Sequence, residues 1–65
     1  MILNAIRETK QRARESQRLL YLYFNGQYTI TPTYESDWLY KAYPGGRNQL
    51  SPRGKKKLEE EGYEM

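Results

Sequence analysis

The sequence contains neither cysteine nor histidine. That excludes disulfide staples, thiolate or imidazole metal sites, cysteine nucleophiles and Ser/His/Asp triads. Long apolar runs are also missing. The longest, Leu19 to Phe24, is far short of the roughly 20 residues needed for a membrane span, and no signal-peptide core with a small-residue cleavage site opens the chain. A soluble cytoplasmic protein is expected. Glu35 and Asp37 form a lone close acidic pair, which without histidine reads as a solvated turn or a helix N-terminus rather than a catalytic dyad or metal site. Gly45-Gly46-Arg47 fits neither the dinucleotide nor the P-loop phosphate pattern, so no cofactor and no metal are expected. At 65 residues the chain allows one small domain, spanning 1–65, near the size at which only about 60% of the unfolded surface can be buried. There is little room for an active-site cavity, and an autonomous enzyme is not expected.

Aromatic rings and positive charge are what the sequence does have. Seven tyrosines, one tryptophan and one phenylalanine supply large buried area per residue in a chain with few other stabilising resources. The net charge of +3 is unevenly spread. Residues 1–24 carry Arg7, Lys10, Arg12, Arg14 and Arg18 against Glu8 and Glu15; residues 47–57 carry Arg47, Arg53, Lys55, Lys56 and Lys57 with no acid; the end carries Glu59, Glu60, Glu61 and Glu64. Two basic blocks thus flank a nearly neutral aromatic middle.

From Ile2 to Phe24 there is no glycine or proline, and Ile2, Ile6, Thr9, Ala13, Ser16, Leu20 and Tyr23 recur at alternating spacings of four and three. This is the period of one helix face and predicts a long first helix ending at Asn25-Gly26. Gln27 to Thr31 is β-branched and aromatic with alternation, which predicts a short strand. Thr31-Pro32 then predicts an N-cap and first helical residue, opening a short helix over Tyr34, Trp38, Leu39, Ala42 and Tyr43. The competing reading makes Trp38 to Tyr43 a strand that turns through Pro44-Gly45-Gly46 into Arg47 to Leu50 as a hairpin. Ser51-Pro52 predicts a second N-cap, and Gly62 a Schellman ending in which Tyr63 meets Leu58. The strands near Tyr28–Ile30 and Asn48–Leu50 are expected to pair as a minimal ribbon. The fold class that results is α+β: a single small domain with a long N-terminal helix, two short strands, a short middle helix and a C-terminal helix.

On helical spacing Arg7, Lys10, Arg14 and Arg18 fall within roughly an 80° arc. Such a stripe can track a phosphate backbone, although a solvated helix face has the same pattern. Its like charges four residues apart oppose one another by a few tenths of a kcal/mol per pair unless an anion relieves them, and only Glu8 to Arg12 is favourably paired. Lys55, Lys56 and Lys57 precede Glu59, Glu60 and Glu61, the reverse of what a helix dipole favours. Each lysine can pair weakly with the glutamate four residues on. Alternatively, Arg47, Arg53, Lys55 and Lys56 surround a helix N-terminus suited to an anion. Tyr34, Trp38, Tyr40 and Tyr43 read either as core or as anchors of a protein interface.

The run Gly45 to Leu58 resembles the wing and following helix of winged helix-turn-helix proteins, in which a glycine-containing hairpin leads into Leu-Thr/Ser-x-x-Gly-x-x-x-Leu. Leu50, Ser51, Gly54 and Leu58 match that pattern over about a fifth of the chain. The resemblance implies a reduced winged-helix fold, with Arg47 and Asn48 as backbone-phosphate contacts of the wing. Between Gly26 and Pro44 the sequence has room for a strand and one short helix rather than the usual pair. In size and charge the chain is also similar to small phage-encoded or mobile-element regulators, including anti-defence proteins.

Taken together these features predict a non-enzymatic regulatory module that binds nucleic acid through backbone phosphates, using Arg7, Lys10, Arg14, Arg18, Arg47, Arg53, Lys55 and Lys56. The alternative is a small phage-type inhibitor or adaptor that sets Tyr34, Trp38, Tyr40 and Tyr43 against an acidic surface of a host protein. A third class, a self-associating protein, would use Thr9, Ala13 and Ser16 as a helix seam.

Overall fold

The computed structural model describes residues 1–62. Its elements are α1 (Ile2–Ser16), β1 (Leu20–Phe24), β2 (Tyr28–Thr31), β3 (Tyr40–Ala42), β4 (Asn48–Leu50) and α2 (Pro52–Glu60). The fold class is α+β, as expected, with a helix first and a helix last. A four-stranded antiparallel sheet in the order β2-β1-β3-β4 lies between them in sequence. Among the described residues no helix is long and apolar enough to cross a membrane, and no group of three or more carboxylates could hold a metal ion.

The first helix is shorter than its periodicity predicts. It closes at Gln17, which takes the left-handed conformation (φ 56°) while its side-chain amide donates to the Arg14 carbonyl at 2.6 Å. Leu20 to Phe24 is a strand instead. Leu20 and Leu22 point to one face and Tyr21 and Tyr23 to the other, and all four are buried. A strand that is central in its sheet and covered on both faces reads as one continuous apolar run, which short-range periodicity cannot tell from a helix end. Asn25-Gly26 is therefore the β1–β2 turn, with Gly26 at φ 98°.

The expected middle helix is absent from the described residues. Thr31 ends β2, and Tyr40–Ala42 forms β3, which turns through Pro44-Gly45-Gly46 into β4, as the competing hairpin reading has it. Gly46 supplies the positive φ (103°) that this turn requires. The two predicted strands do not pair with each other. As β2 and β4 they occupy opposite edges of the sheet.

The register aligns the inner face in a row, Ile30, Leu22, Tyr40 and Leu50, one from each strand. Helix α1 lies over it through Ile2, Ala5, Ile6, Thr9 and Ala13. Thr9 and Ala13 are fully buried within the fold, where small side chains let the helix approach the sheet, so they provide no seam for self-association. Ser16 is exposed and donates to the Arg12 carbonyl. Thr9 satisfies its buried hydroxyl by donating to the Ala5 carbonyl at 2.7 Å.

Helix α2 is fixed at both ends. At its start Ser51 is the predicted N-cap, with its hydroxyl accepting from the Gly54 N–H at 3.0 Å and donating to the Trp38 carbonyl at 2.7 Å. Gly54 lies so close to the chain before β3 that a Cβ there would stand 2.1 Å from the Leu39 carbonyl oxygen and 2.8 Å from Leu50 Cδ1. At its end Gly62 has φ 89° and donates to the Glu59 carbonyl, which is one of the two Schellman bonds. The Tyr63 contact lies outside the described residues. Glu61 accepts from the Ile2 N–H at 2.9 Å and from the Tyr28 hydroxyl at 2.6 Å, tying α2, α1 and β2 together.

Two predictions follow from these ties. Gly54→Ala would raise intrinsic helix propensity by about 1 kcal/mol, but the clash with the Leu39 backbone outweighs it. The variant is expected to be less stable by about 1–3 kcal/mol, read as a lowered melting temperature, whereas a gain would refute the close-packing account. The second concerns acid. The Tyr28 hydroxyl and then the Ile2 N–H hold the Glu61 carboxyl below the ordinary carboxylate range. Its contribution is present above the unfolded-state value and is lost as pH falls through the lowered folded-state value. Glu61→Gln is expected to melt below the parent at neutral pH and to converge with it in acid; a gap independent of pH would exclude this role.

Candidate functional site

Neither helix lies on the outer face of the sheet, and side chains from four segments meet there. Register places Thr31, Tyr21, Lys41 and Gln49 in one row across the strands. The 32–39 loop folds back over this row because Tyr23 holds it. The Tyr23 hydroxyl donates to the Thr33 carbonyl at 2.7 Å and accepts from the Glu35 N–H. Burial raises the Tyr23 hydroxyl above its ordinary pKa, so it stays protonated and able to donate. Further along the loop, the Trp38 N–H donates to the Glu35 carbonyl and the Leu39 N–H to the Leu22 carbonyl at 2.8 Å.

The fold-back brings Tyr34 and Trp38 edge-on to Tyr21, with ring centres 5.6 Å and 6.2 Å away. Lys41 Nζ stands 5.1 Å from the Trp38 ring centre and 5.7 Å from that of Tyr43, and the Arg47 guanidinium lies 5.3 Å from Tyr43. Each such contact contributes about 0.5–1 kcal/mol where exposed. The result is a strip in which Tyr34 and Trp38, joined through the buried Tyr21, are followed by Lys41, Tyr43 and Arg47. Tyr34 is 61% exposed, and Trp38, Lys41 and Tyr43 are half-buried.

At the Arg47 end the strip turns onto α1. Lys10, Arg14, Tyr43, Gly46 and Arg47 line one small concavity between the helix and the β3–β4 turn, and no carboxylate lines it. Arg7 continues the same helix face beside Lys10 and Arg14. The ion pairs among the described residues are Arg12 with Glu8 at 2.8 Å and Lys57 with Glu60 at 3.9 Å, so none of these four cations has a carboxylate partner there.

The remaining expected site residues lie elsewhere. Arg18 is past the end of α1 and borders a groove with Arg12, Leu20 and Ile30. Arg47 does not join Arg53, Lys55 and Lys56 around the start of α2, because all of β4 intervenes, about 10 Å at 3.3 Å per residue. Arg53 and Lys56 border a second concavity with Phe24, Leu39, Lys57 and Glu60, and Lys55 is exposed. Lys57 sits 4.0 Å over the Phe24 ring and reaches Glu60, three residues on, rather than Glu61.

Tyr40 is not an interface anchor. It sits in the inner row at 2% exposure, beneath the helices. Sequence periodicity puts Tyr21 in the first helix, and Lys41 is the lone cation of residues 25–46, so neither signals a site from the sequence alone. The alternation Leu20-Tyr21-Leu22-Tyr23 was the signal that places Tyr21 opposite the core. No protein-family model, curated protein or solved structure matches this chain.

Burial pushes the Tyr40 hydroxyl up to a pKa of about 12, and the oxygen has no hydrogen-bond partner among the described residues. Tyr40→Phe removes that unsatisfied group and keeps the ring. It is expected to raise stability by about 1 kcal/mol in thermal melts and to leave the outer face unchanged; a loss of stability would mean that the hydroxyl is satisfied.

Proposed function

We propose that this chain is a non-enzymatic regulatory module, acting in the cytoplasm, that binds nucleic acid through its phosphates. The observation that carries the reading is the convergence of Lys10, Arg14 and Arg47 in one concavity without a carboxylate. Lys10 and Arg14 are like charges four apart on one helix, and Arg47 comes from a segment distant in sequence to the same place. An anion would relieve the repulsion among all three. Arg7 extends this surface; on α2, Arg53 and Lys56 border a separate concavity that Glu60 also lines, and Lys55 is exposed outside it. Arg18 lines neither concavity, bordering the groove with Arg12, Leu20 and Ile30 instead, and is the weakest member of the set. On the winged-helix resemblance the β3–β4 hairpin and α2 would correspond to a wing and its following helix, and Arg47 and Asn48 would then be backbone contacts at the hairpin.

The alternative, an inhibitor or adaptor on an acidic protein surface, is favoured by one feature, the exposed Tyr34 beside Trp38, since such rings are common interface anchors. Salt dependence separates the two readings. With about three phosphates held, log K is expected to fall against log salt with a slope near −3 for duplex and near −2 for single strands. Lys10→Gln with Arg14→Gln should stay folded by circular dichroism and reduce the slope by roughly one to two units. Undetectable binding of the parent chain to both duplex and single strands at low salt would refute the reading.

A further inference from the structure

We infer that the outer face of the sheet takes unpaired bases, so that the ligand is single-stranded nucleic acid rather than duplex. This inference rests on the phosphate-binding reading above and specifies it. Phosphate contacts alone need only Lys10, Arg14 and Arg47, yet Arg47 belongs to two assemblies. It lines the concavity with the helix cations and lies against Tyr43, the first ring of the strip. A strand whose phosphates sit at Arg47 therefore has Tyr43, Trp38 and Tyr34 in succession along the open face.

Base–aromatic stacking requires bases that have left a duplex stack, because paired bases hide their faces against one another. The rings here are fixed in advance: the Tyr23 hydroxyl tethers the loop, the Ser51 hydroxyl holds the Trp38 carbonyl, and Tyr21 supports Tyr34 and Trp38 from beneath. Lys41 Nζ lies over the Trp38 and Tyr43 rings; a base that stacks on either of those faces displaces the flexible ammonium toward the phosphate joining two nucleotides. An acidic peptide would satisfy the cations but would leave this succession of planar groups without a stacking partner. The charge and the π surface together select a flexible polyanion with planar side groups.

Trp38 is the sole tryptophan, so its fluorescence reports on this face alone. The full chain is titrated with oligo(dT) and oligo(rU) single strands and with an oligo(dA)·oligo(dT) duplex of equal length at low salt, following fluorescence and the anisotropy of labelled strands. Single strands are expected to quench Trp38 and to bind about tenfold more tightly than the duplex. Tyr34→Ala removes an exposed ring whose loss leaves the core in place, so it keeps the test decisive whatever a change at Trp38 does to folding. Tyr34→Ala is expected to weaken single-strand binding by roughly fivefold or more and duplex binding by about twofold or less, and Trp38→Phe to retain most of the parent affinity. Equal or tighter duplex binding, or single-strand binding without quenching and indifferent to Tyr34→Ala, would overturn the inference while leaving the phosphate reading standing. Absence of binding to every oligonucleotide would overturn both, and retention on poly-glutamate would then point to an acidic protein surface.

Discussion

Strand β1 is hydrogen-bonded along both of its sides, to β2 and to β3, and covered on both of its faces. Everything else is arranged around that double enclosure. Leu20 and Leu22 require a layer on one face, which α1 supplies with Ile2, Ile6 and the small residues Ala5, Thr9 and Ala13 that let it come close. Tyr21 and Tyr23 require a layer on the other, and no helix remains to supply it. The 32–39 loop does so instead, held by the one polar atom Tyr23 can offer there. Because a loop covers less area than a helix, the outer face stays partly open, and the aromatic and cationic side chains at its margin remain accessible.

The same constraint explains what could be read from the chain and what could not. The second helix was legible in detail, since its signals are local: Ser51 before Pro52, and a glycine just past the end. The α+β class was legible from the β-branched and glycine-rich segments. The Ile2–Phe24 segment was misread at its end because six apolar residues fit either a helix terminus or a central strand, and only the partners β2 and β3 decide between them. The short middle helix failed for a similar reason. Tyr34, Trp38 and Leu39 have helical spacing, but Leu39 gives its N–H to Leu22 and its carbonyl to the Ser51 N–H, both long-range bonds that leave it no role in a helix.

Of the candidate site, the cationic residues were legible as types and blocks but not as a constellation. Sequence proximity grouped Arg47 with the lysines of α2, whereas the β4 strand carries it to the other end and sets it against α1. Tyr40 and Tyr43 are alike in sequence and three residues apart, yet strand alternation buries one beneath the helices and leaves the other at the rim. The Leu50, Ser51, Gly54 and Leu58 pattern also has a complete packing explanation: a core side chain, a cap, a close approach and a second core side chain.

Ser51 reaches past its own helix. By donating to the Trp38 carbonyl while capping Gly54, its hydroxyl joins the start of α2 to the main chain at the end of the 32–39 loop. The bond holds the backbone from which the indole springs, not the ring, whose setting is left to Tyr21 and Lys41. One hydroxyl thus serves as the common root of the helix and of the loop's last residue, and removing it would loosen both at once.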